Sequence, residues 1–434
     1  MKISQIKTDI LATAQNSGEW VKNIAKEIYN NPELGFKEEK TSALVRRAFS
    51  ELDIEYQYPI ALTGVKATLR GKSDSFNVCI IGELDAIVSP EHPDADKIGA
   101  VHACGHSAQI GAMLGAAYIL KKSGVMRYLD GNVTFMAVPA EEYNELAYRS
   151  SLKDEGKIRY FSGKQQFVYE GAFDDVDMAI MLHAMGNEPD KKLYINGKNL
   201  GFISKKLTFK GKSAHASTPS EGTNALNAAA LAILGIHSNR DTFTEEERIR
   251  IHPIITKGGD VVNTVPDLVE MEMQVRGATT DAIAKANDVV DRAARGAAQM
   301  MGATVQTEDI SGYLPLCEDK RLLQVLEDVA QGLIEDKNII SGYTLVGSTD
   351  MGDISNIMPA IQPSIGGFCG GLHSKDFKIC DEDTAIMLPA KLMALTAAQL
   401  LFDGASKAKS VKENFVPKFT KEQYLNYLEG EHKK

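Results

Sequence analysis

Cysteine is scarce in this chain, with five in 434 residues: Cys79, Cys104, Cys317, Cys369 and Cys380. So small and odd a number argues against a disulfide framework and predicts a reducing compartment, the cytoplasm by expectation. A surplus of positive charge is also missing. Lysine and arginine total 48 against 58 aspartates and glutamates, a balance of −10, so phosphate backbones and anionic lipid meet no general attraction, and neither nucleic acid nor a membrane is an expected partner. Long hydrophobic runs are lacking: Ile110–Leu120 and Ala225–Ile236 fall short of the ~20 residues that cross a bilayer and read as packed helices. Residues 1–15 mix polar and apolar side chains and offer no export signal. No glycine-rich phosphate loop, H-E-x-x-H helix or G-x-S-x-G elbow occurs, which leaves nucleotide binding, single-helix zinc sites and serine nucleophiles without support.

What is present is a globular composition, 44% hydrophobic and 24% charged, in a chain long enough for two or three domains. Residues 3–53 carry apolar side chains at helical spacing, interrupted by Asn31-Pro32 and Gly35, and predict two helices joined by a turn. The runs at 77–82, 132–138 and 177–182 are short and apolar, as expected of strands buried on both faces, with helical pattern between them at Ser107–Lys122. Alternating strand and helix predicts an α/β domain with a mainly parallel sheet. These strands lead to Asp85, to Glu141-Glu142 and to His183, and ligands gather beyond the carboxyl ends of such strands. Between about 200 and 309 the order reads strand, helix, two strands, helix, strand, the split βαββαβ arrangement. Its clearest strand alternates Val269, Met271, Met273 and Val275 with Glu270, Glu272, Gln274 and Arg276. Helix and strand character resumes at 321–402, so the middle segment reads as an insertion. The lysine-rich stretch after Ala405 is expected to be an exposed helix or frayed end.

Nine histidines are present, and two of them flank Cys104 in His102-Ala103-Cys104-Gly105-His106. A thiolate and an imidazole two residues apart can hold one borderline-soft cation, and Gly105 permits the turn between them. Pro139-Ala140-Glu141-Glu142 places adjacent carboxylates at a buried strand end, where one can ligate a metal while its neighbour faces a water. Each motif alone is equally open to a plainer reading: a buried cysteine, a capping histidine, an acidic turn. His183 and His373, near strand ends, share that ambiguity. Together, Cys104, His106, Glu142, His183 and His373 form a mixed sulfur, nitrogen and oxygen set distributed as a discontinuous metal site would be.

These residues resemble a known family, the metallopeptidase-like amidohydrolases that include aminoacylases, carboxypeptidase G-type enzymes, auxin-conjugate hydrolases and aminobenzoyl-glutamate hydrolases. The similarity runs through Asn31-Pro32-Glu33-Leu34-Gly35-Phe36, Lys40-Thr41-Ser42, Thr63-Gly64-Val65, Glu83-Leu84-Asp85-Ala86 and the two motifs above. It continues in Lys212-Ser213-Ala214-His215-Ala216, Gly222-Thr223-Asn224-Ala225-Leu226, Asn263-Thr264-Val265-Pro266, Val275-Arg276-Gly277, Gly347-Ser348-Thr349-Asp350 and the His373 segment.

The resemblance implies a zinc-peptidase-like catalytic domain over 1–199 and 311–434, with a ferredoxin-like α+β lid and dimerisation domain inserted at 200–310. It implies two divalent ions, zinc or manganese, on Cys104, His106, Glu142, His183 and His373, with Glu141 as the base. His215 would stabilise the tetrahedral oxyanion in a partner subunit, and Asn263 and Arg276 would hold the substrate carboxylate. The expected protein is a cytoplasmic homodimer that hydrolyses small N-acyl or N-aroyl amino acids or dipeptides. Close relatives carry an aspartate after the second histidine of the H-A-C-G-H block and a histidine two places further on, where this chain has Ser107 and Gln109. That departure bears on metal affinity and motivates a competing expectation, a catalytically lapsed relative that binds amino-acid conjugates. A single structural zinc at Cys104 and His106 is the third alternative and predicts that chelation melts the protein.

Overall fold

The computed structural model describes residues 2–343 and 347–430. The chain divides into two compact units: Met1–Gly197 with Cys317–Thr344 and Asp353–Lys421, and Lys198–Leu316 with Leu345–Gly352 and Glu422–Lys434.

The first unit is built on a six-stranded sheet of β1 (Tyr56–Ile60), β2 (Gly64–Leu69), β3 (Asn77–Glu83), β4 (Asn132–Val138), β5 (Met178–Ile180) and β6 (Ala360–Ile361), in the order β1-β2-β4-β3-β5-β6. β3 runs parallel to both β4 and β5, and β5 to β6, while β1 and β2 form an antiparallel edge. Every residue of β3 and β4 is buried, which explains their continuous apolar sequence: a parallel strand covered on both faces has no wet side to mark with alternation. Each fully buried valine or isoleucine there contributes about 1.5–3 kcal/mol.

Among helices α1 (Ile3–Tyr29), α2 (His106–Lys122) and α3 (Leu388–Leu401), α2 packs on β3 while α1 and α3 pack against α2. Helix α2 is buried almost all round, and Gly111 lets it approach α1, since a Cβ there would sit 2.8 Å from that of Ala25. The expectation that no run is long enough to cross a membrane is corrected: Asp383–Leu401 is long and apolar enough by length and composition, yet 89% of it is buried inside the protein, as a core helix would be.

The second unit is a four-stranded antiparallel sheet in the order Arg250–Lys257, Leu268–Gly277, Gly201–Lys210, Thr304–Ser311. Helices Ala225–Ser238 and Thr280–Met301 pack on it, burying Leu207, Phe209, Met271 and Val275 against Ala228, Ala232, Val290 and Ala294. Chain order is therefore βαββαβ, and the alternation at 269–276 is reproduced as strict in-and-out burial. Side-chain caps start both helices: Asn224 accepts from Asn227 N at 3.0 Å, and Thr279 from Ala282 N at 3.1 Å.

One further expectation is corrected, and another is decided between its two alternatives. Cys369 and Cys380 form a disulfide, with Cα atoms 5.8 Å apart, because Phe368–Cys369 and Lys378–Ile379 pair as an antiparallel ladder that brings the two ends of the His373 loop together. The lysine-rich stretch after Ala405 is not merely frayed. It forms helices Ser406–Glu413 and Lys421–Leu428, which bury Ala408, Val411, Tyr424 and Leu428, so its apolar residues dock while its lysines stay wet.

Candidate active site

The first unit gathers its chemistry at the carboxyl ends of β3 and β4 and the loops around them. Gly105 adopts φ +89° and caps α2, and a Cβ there would lie 2.6 Å from that of Ala184. The turn is open only to glycine and presents Cys104 and His106 on the same side. His373 is fixed from the opposite direction, its backbone N–H donating to the Ala103 carbonyl at 2.8 Å.

The Glu141-Glu142 turn is held by buried groups. Ala140 takes φ +54°, a left-handed conformation that costs an alanine energy, and three side chains secure it. Glu38 Oε1 accepts the Ala140 N–H at 2.9 Å while its Oε2 accepts the Thr63 hydroxyl at 2.6 Å. Burial, with Asp85 nearby, pushes Glu38 up to about 8. Arg149, wholly buried, donates to the carbonyls of Ala140, Phe161 and Glu142. Asp85 Oδ2 accepts the Glu142 N–H at 2.9 Å. The Asp85 carbonyl faces His106 Nδ1 at 2.8 Å, with its Oδ1 3.4 Å from the same nitrogen. One residue thus orients both an imidazole and a carboxylate.

The structure brings the five sequence-nominated donors together as Cys104/His106/His183 and Cys104/Glu142/His373, with donor atoms in each group within 4.8 Å of one another. Cys104 Sγ lies 3.5 Å from His183 Nε2, and His373 Nε2 lies 3.1 Å from Glu142 Oε1. Donors bonded tetrahedrally to one zinc-sized ion at about 2.0–2.3 Å stand about 3.3–3.6 Å apart, close to these gaps. His106 Nε2 is buried without a hydrogen-bond partner, a condition that a metal relieves. A borderline-soft ion suits a set of one thiolate, three imidazoles and a carboxylate, and these residues would hold a pair of divalent ions, Cys104 belonging to both groups.

The electrostatics agree. Burial favours the neutral thiol of Cys104, but His183 and His106 outweigh it and hold the group well below its ordinary value, as a thiolate. Burial likewise opposes charge on His106, and Cys104 and Glu83 more than reverse it. The Cys104 and Glu142 anions push His373 up to about 11. Without a cation, these imidazoles hold protons against the anionic cluster. His102 is the exception: burial drives it down to about 3, and it stays neutral.

Glu141 is buried, with Oε2 4.0 Å from His106 Nε2. Gln109 accepts the Glu83 N–H at 2.7 Å, and the Ser107 hydroxyl is buried without a partner. Motif reading passed over three structural supports: Glu38, Arg149 and Lys164. Lys164 is entirely buried with its ammonium 2.5 Å from Glu83 Oε1. Nothing in the run at 163–169 marks this lysine as a core residue.

In the second unit, His215 and Asn263 lie on neighbouring exposed segments: His215 bridges Thr264, and the Ala216 N–H donates to the Asn263 carbonyl at 2.8 Å. His215 Nδ1 is 2.6 Å from the Ser217 hydroxyl. Arg276, on Leu268–Gly277, is half-buried. It donates to Gln274 Oε1 at 2.6 Å and Ser348 Oγ at 3.2 Å, and lies 5.5 Å over the Phe202 ring.

Known proteins are similar to this chain. An IAA-amino acid hydrolase ILR1-like 4 of Arabidopsis thaliana is 26% identical over 92% of this chain and 90% of its own. Thermostable carboxypeptidase 2 of Saccharolobus solfataricus is 25% identical over 91% of this chain and 98% of its own. The crystal structure of the Bacillus subtilis YXEP protein, described as a dinuclear metal binding peptidase from the M20 family, superposes with a TM-score of 0.70 at 23% identity, covering 89% of this chain and 99% of that one. Residues 79–397 match the model of peptidase family M20/M25/M40, so the chain belongs to that family and is a metal-dependent hydrolase of amide bonds.

Proposed function

We propose that this protein hydrolyses the amide bond of N-acyl or N-aroyl amino acids, aminobenzoyl-glutamate-like conjugates among them, or of small dipeptides. The observation that carries the reading is the convergence of Cys104, His106, Glu142, His183 and His373 around Glu141. The IAA-amino acid hydrolase and the carboxypeptidase both bear names that describe cleavage of a bond to an amino acid.

Two divalent ions, zinc or manganese, held by those five residues would polarise the scissile carbonyl and acidify the attacking water. Glu141, anchored between the braced Ala140 and Glu142, takes the proton from that water and delivers it to the departing amine. His215 is assigned the oxyanion. Asn263 and Arg276 are assigned the substrate carboxylate, which a guanidinium grips with two parallel hydrogen bonds. The 200–310 segment is assigned the roles of lid and homodimer contact.

The test is a hydrolysis screen across acyl-amino acids, aminobenzoyl-glutamate and dipeptides, with manganese and then zinc added, alongside metal analysis of the purified protein. Cleavage of one class with two bound equivalents supports the proposal. Two bound equivalents without turnover select the catalytically lapsed reading, which the unpartnered Ser107 hydroxyl favours. Failure to bind metal at all overturns the hydrolase proposal and leaves the lapsed reading standing.

A further inference from the structure

Glu83 has no part in the mechanism above, yet it lies wholly buried beside the cluster. It ends β3 fully buried, its backbone N–H bound by Gln109 and its Oε1 by Lys164. An ammonium and a carboxylate driven together into a dry interior are costly unless the arrangement does something that apolar side chains could not.

The free end of Glu83 indicates what that is. Oε2 has no hydrogen-bond partner and lies 3.2 Å from His106 Nε2, which has none either. The other ring nitrogen of His106 faces the Asp85 carbonyl at 2.8 Å. A carbonyl only accepts, so Nδ1 keeps its proton and Nε2 is the ring nitrogen left to face the carboxylate and to bind a cation, a proton in the metal-free protein or a divalent ion in its place. Positive charge belongs in the buried gap between these two atoms. Lys164 does not supply it, being engaged with the opposite oxygen. The separation is close to the about 3.3 Å expected of nitrogen and oxygen donors on one tetrahedral cation, and Glu83, His106 and Glu141 all offer donor atoms within 4.8 Å of one another.

We propose that Glu83 is a further inner-sphere ligand: its Oε2 binds the divalent cation held by His106, with Lys164 fixing the carboxylate and Gln109 the backbone behind it. The inference rests on the two-metal reading of the site and adds a sixth donor to it. Because Lys164 draws negative charge away from the carboxylate, Glu83 anchors the ion while donating less to it than an unpaired carboxylate would, which preserves the ion's power to polarise a carbonyl.

The direct experiment uses the unmodified protein crystallised with manganese and, separately, zinc, with anomalous difference maps to locate each ion. A peak within about 2.0–2.3 Å of both Glu83 Oε2 and His106 Nε2 is the expected result. Two ions seated on the other five donors, with Glu83 more than about 3 Å from either, overturn the inference and leave the two-metal reading standing. No ion at all overturns the two-metal reading itself. In solution, cobalt(II) titration followed in the visible spectrum should show that Glu83→Gln, which can still accept from Lys164, binds one equivalent normally and the other 10–100-fold more weakly. Glu83→Asp should recover part of the loss. Two equivalents bound by Glu83→Gln with wild-type affinity and spectrum count against the ligand role. The crystallographic arm needs no variant, so a substitution that fails to fold leaves the question decidable.

Discussion

Each unit of this protein buries ionic groups, and the two do so differently. In the second unit, Lys205 is fully buried with its ammonium 2.5 Å from both Asp291 and Asp309, and Asn287 donates to the second aspartate at 2.8 Å. The lysine there already has its counter-ions. In the first unit, Glu83, Asp85, Glu142, Cys104 and His106 crowd together with several polar atoms left without partners. Interior charges that satisfy one another serve the scaffold, whereas buried donors aimed at a shared point without contact mark where a ligand belongs.

The largest expected effect that sharpens this contrast is at Glu141. Glu141→Gln should lower kcat by about 10²–10⁴-fold while the metal content of the purified protein stays unchanged. Full turnover in that variant would remove Glu141 from the chemistry. Lys205→Met should act the opposite way. It strands two buried aspartates and should cost about 3–5 kcal/mol in denaturant unfolding, with bound metal unaltered; a loss of metal without a loss of stability would break the contrast between the units.

An intermediate effect is expected at the Cys369–Cys380 bond, which closes the loop carrying His373. Replacing both cysteines with serine should lower stability by about 3 kcal/mol on loop-closure grounds and weaken metal binding through His373. Unchanged metal affinity would show that the Ala103 hydrogen bond alone holds that ligand.

The smallest effect concerns protons. His373, pushed up to about 11, is protonated at pH 7 in the metal-free protein, and a cation must displace that proton. Affinity should therefore rise with pH, about tenfold per unit for each proton displaced. Calorimetry in buffers of different ionisation enthalpy would register the release, and pH-independent binding between pH 6 and 9 would contradict it.

How much of this could be read from sequence depends on the physics each element obeys. β3, β4 and β5 were legible because a strand buried on two faces must be apolar throughout, and Leu268–Gly277 because a strand with one wet face must alternate. The residues around Cys104 and Glu141 were legible because metal chemistry restricts the side chains that can serve and their spacing. Lys164, Glu38 and Arg149 were not, since each acts through a partner distant in the chain: Glu83, Ala140 and Phe161 respectively. The Cys369–Cys380 bond escaped for a related reason, because counting cysteines weighs the whole chain while pairing depends on a local two-stranded ladder.

The left-handed kink at Ala140 has a bearing on how such an enzyme can change over time. Because it seats two consecutive carboxylates on one stiff bend, any shift that retunes the proton carrier drags its neighbour along. Selection acting on substrate chemistry at this corner therefore acts on cation preference as well, and new specificities should arise more readily from distant loops than from the bend.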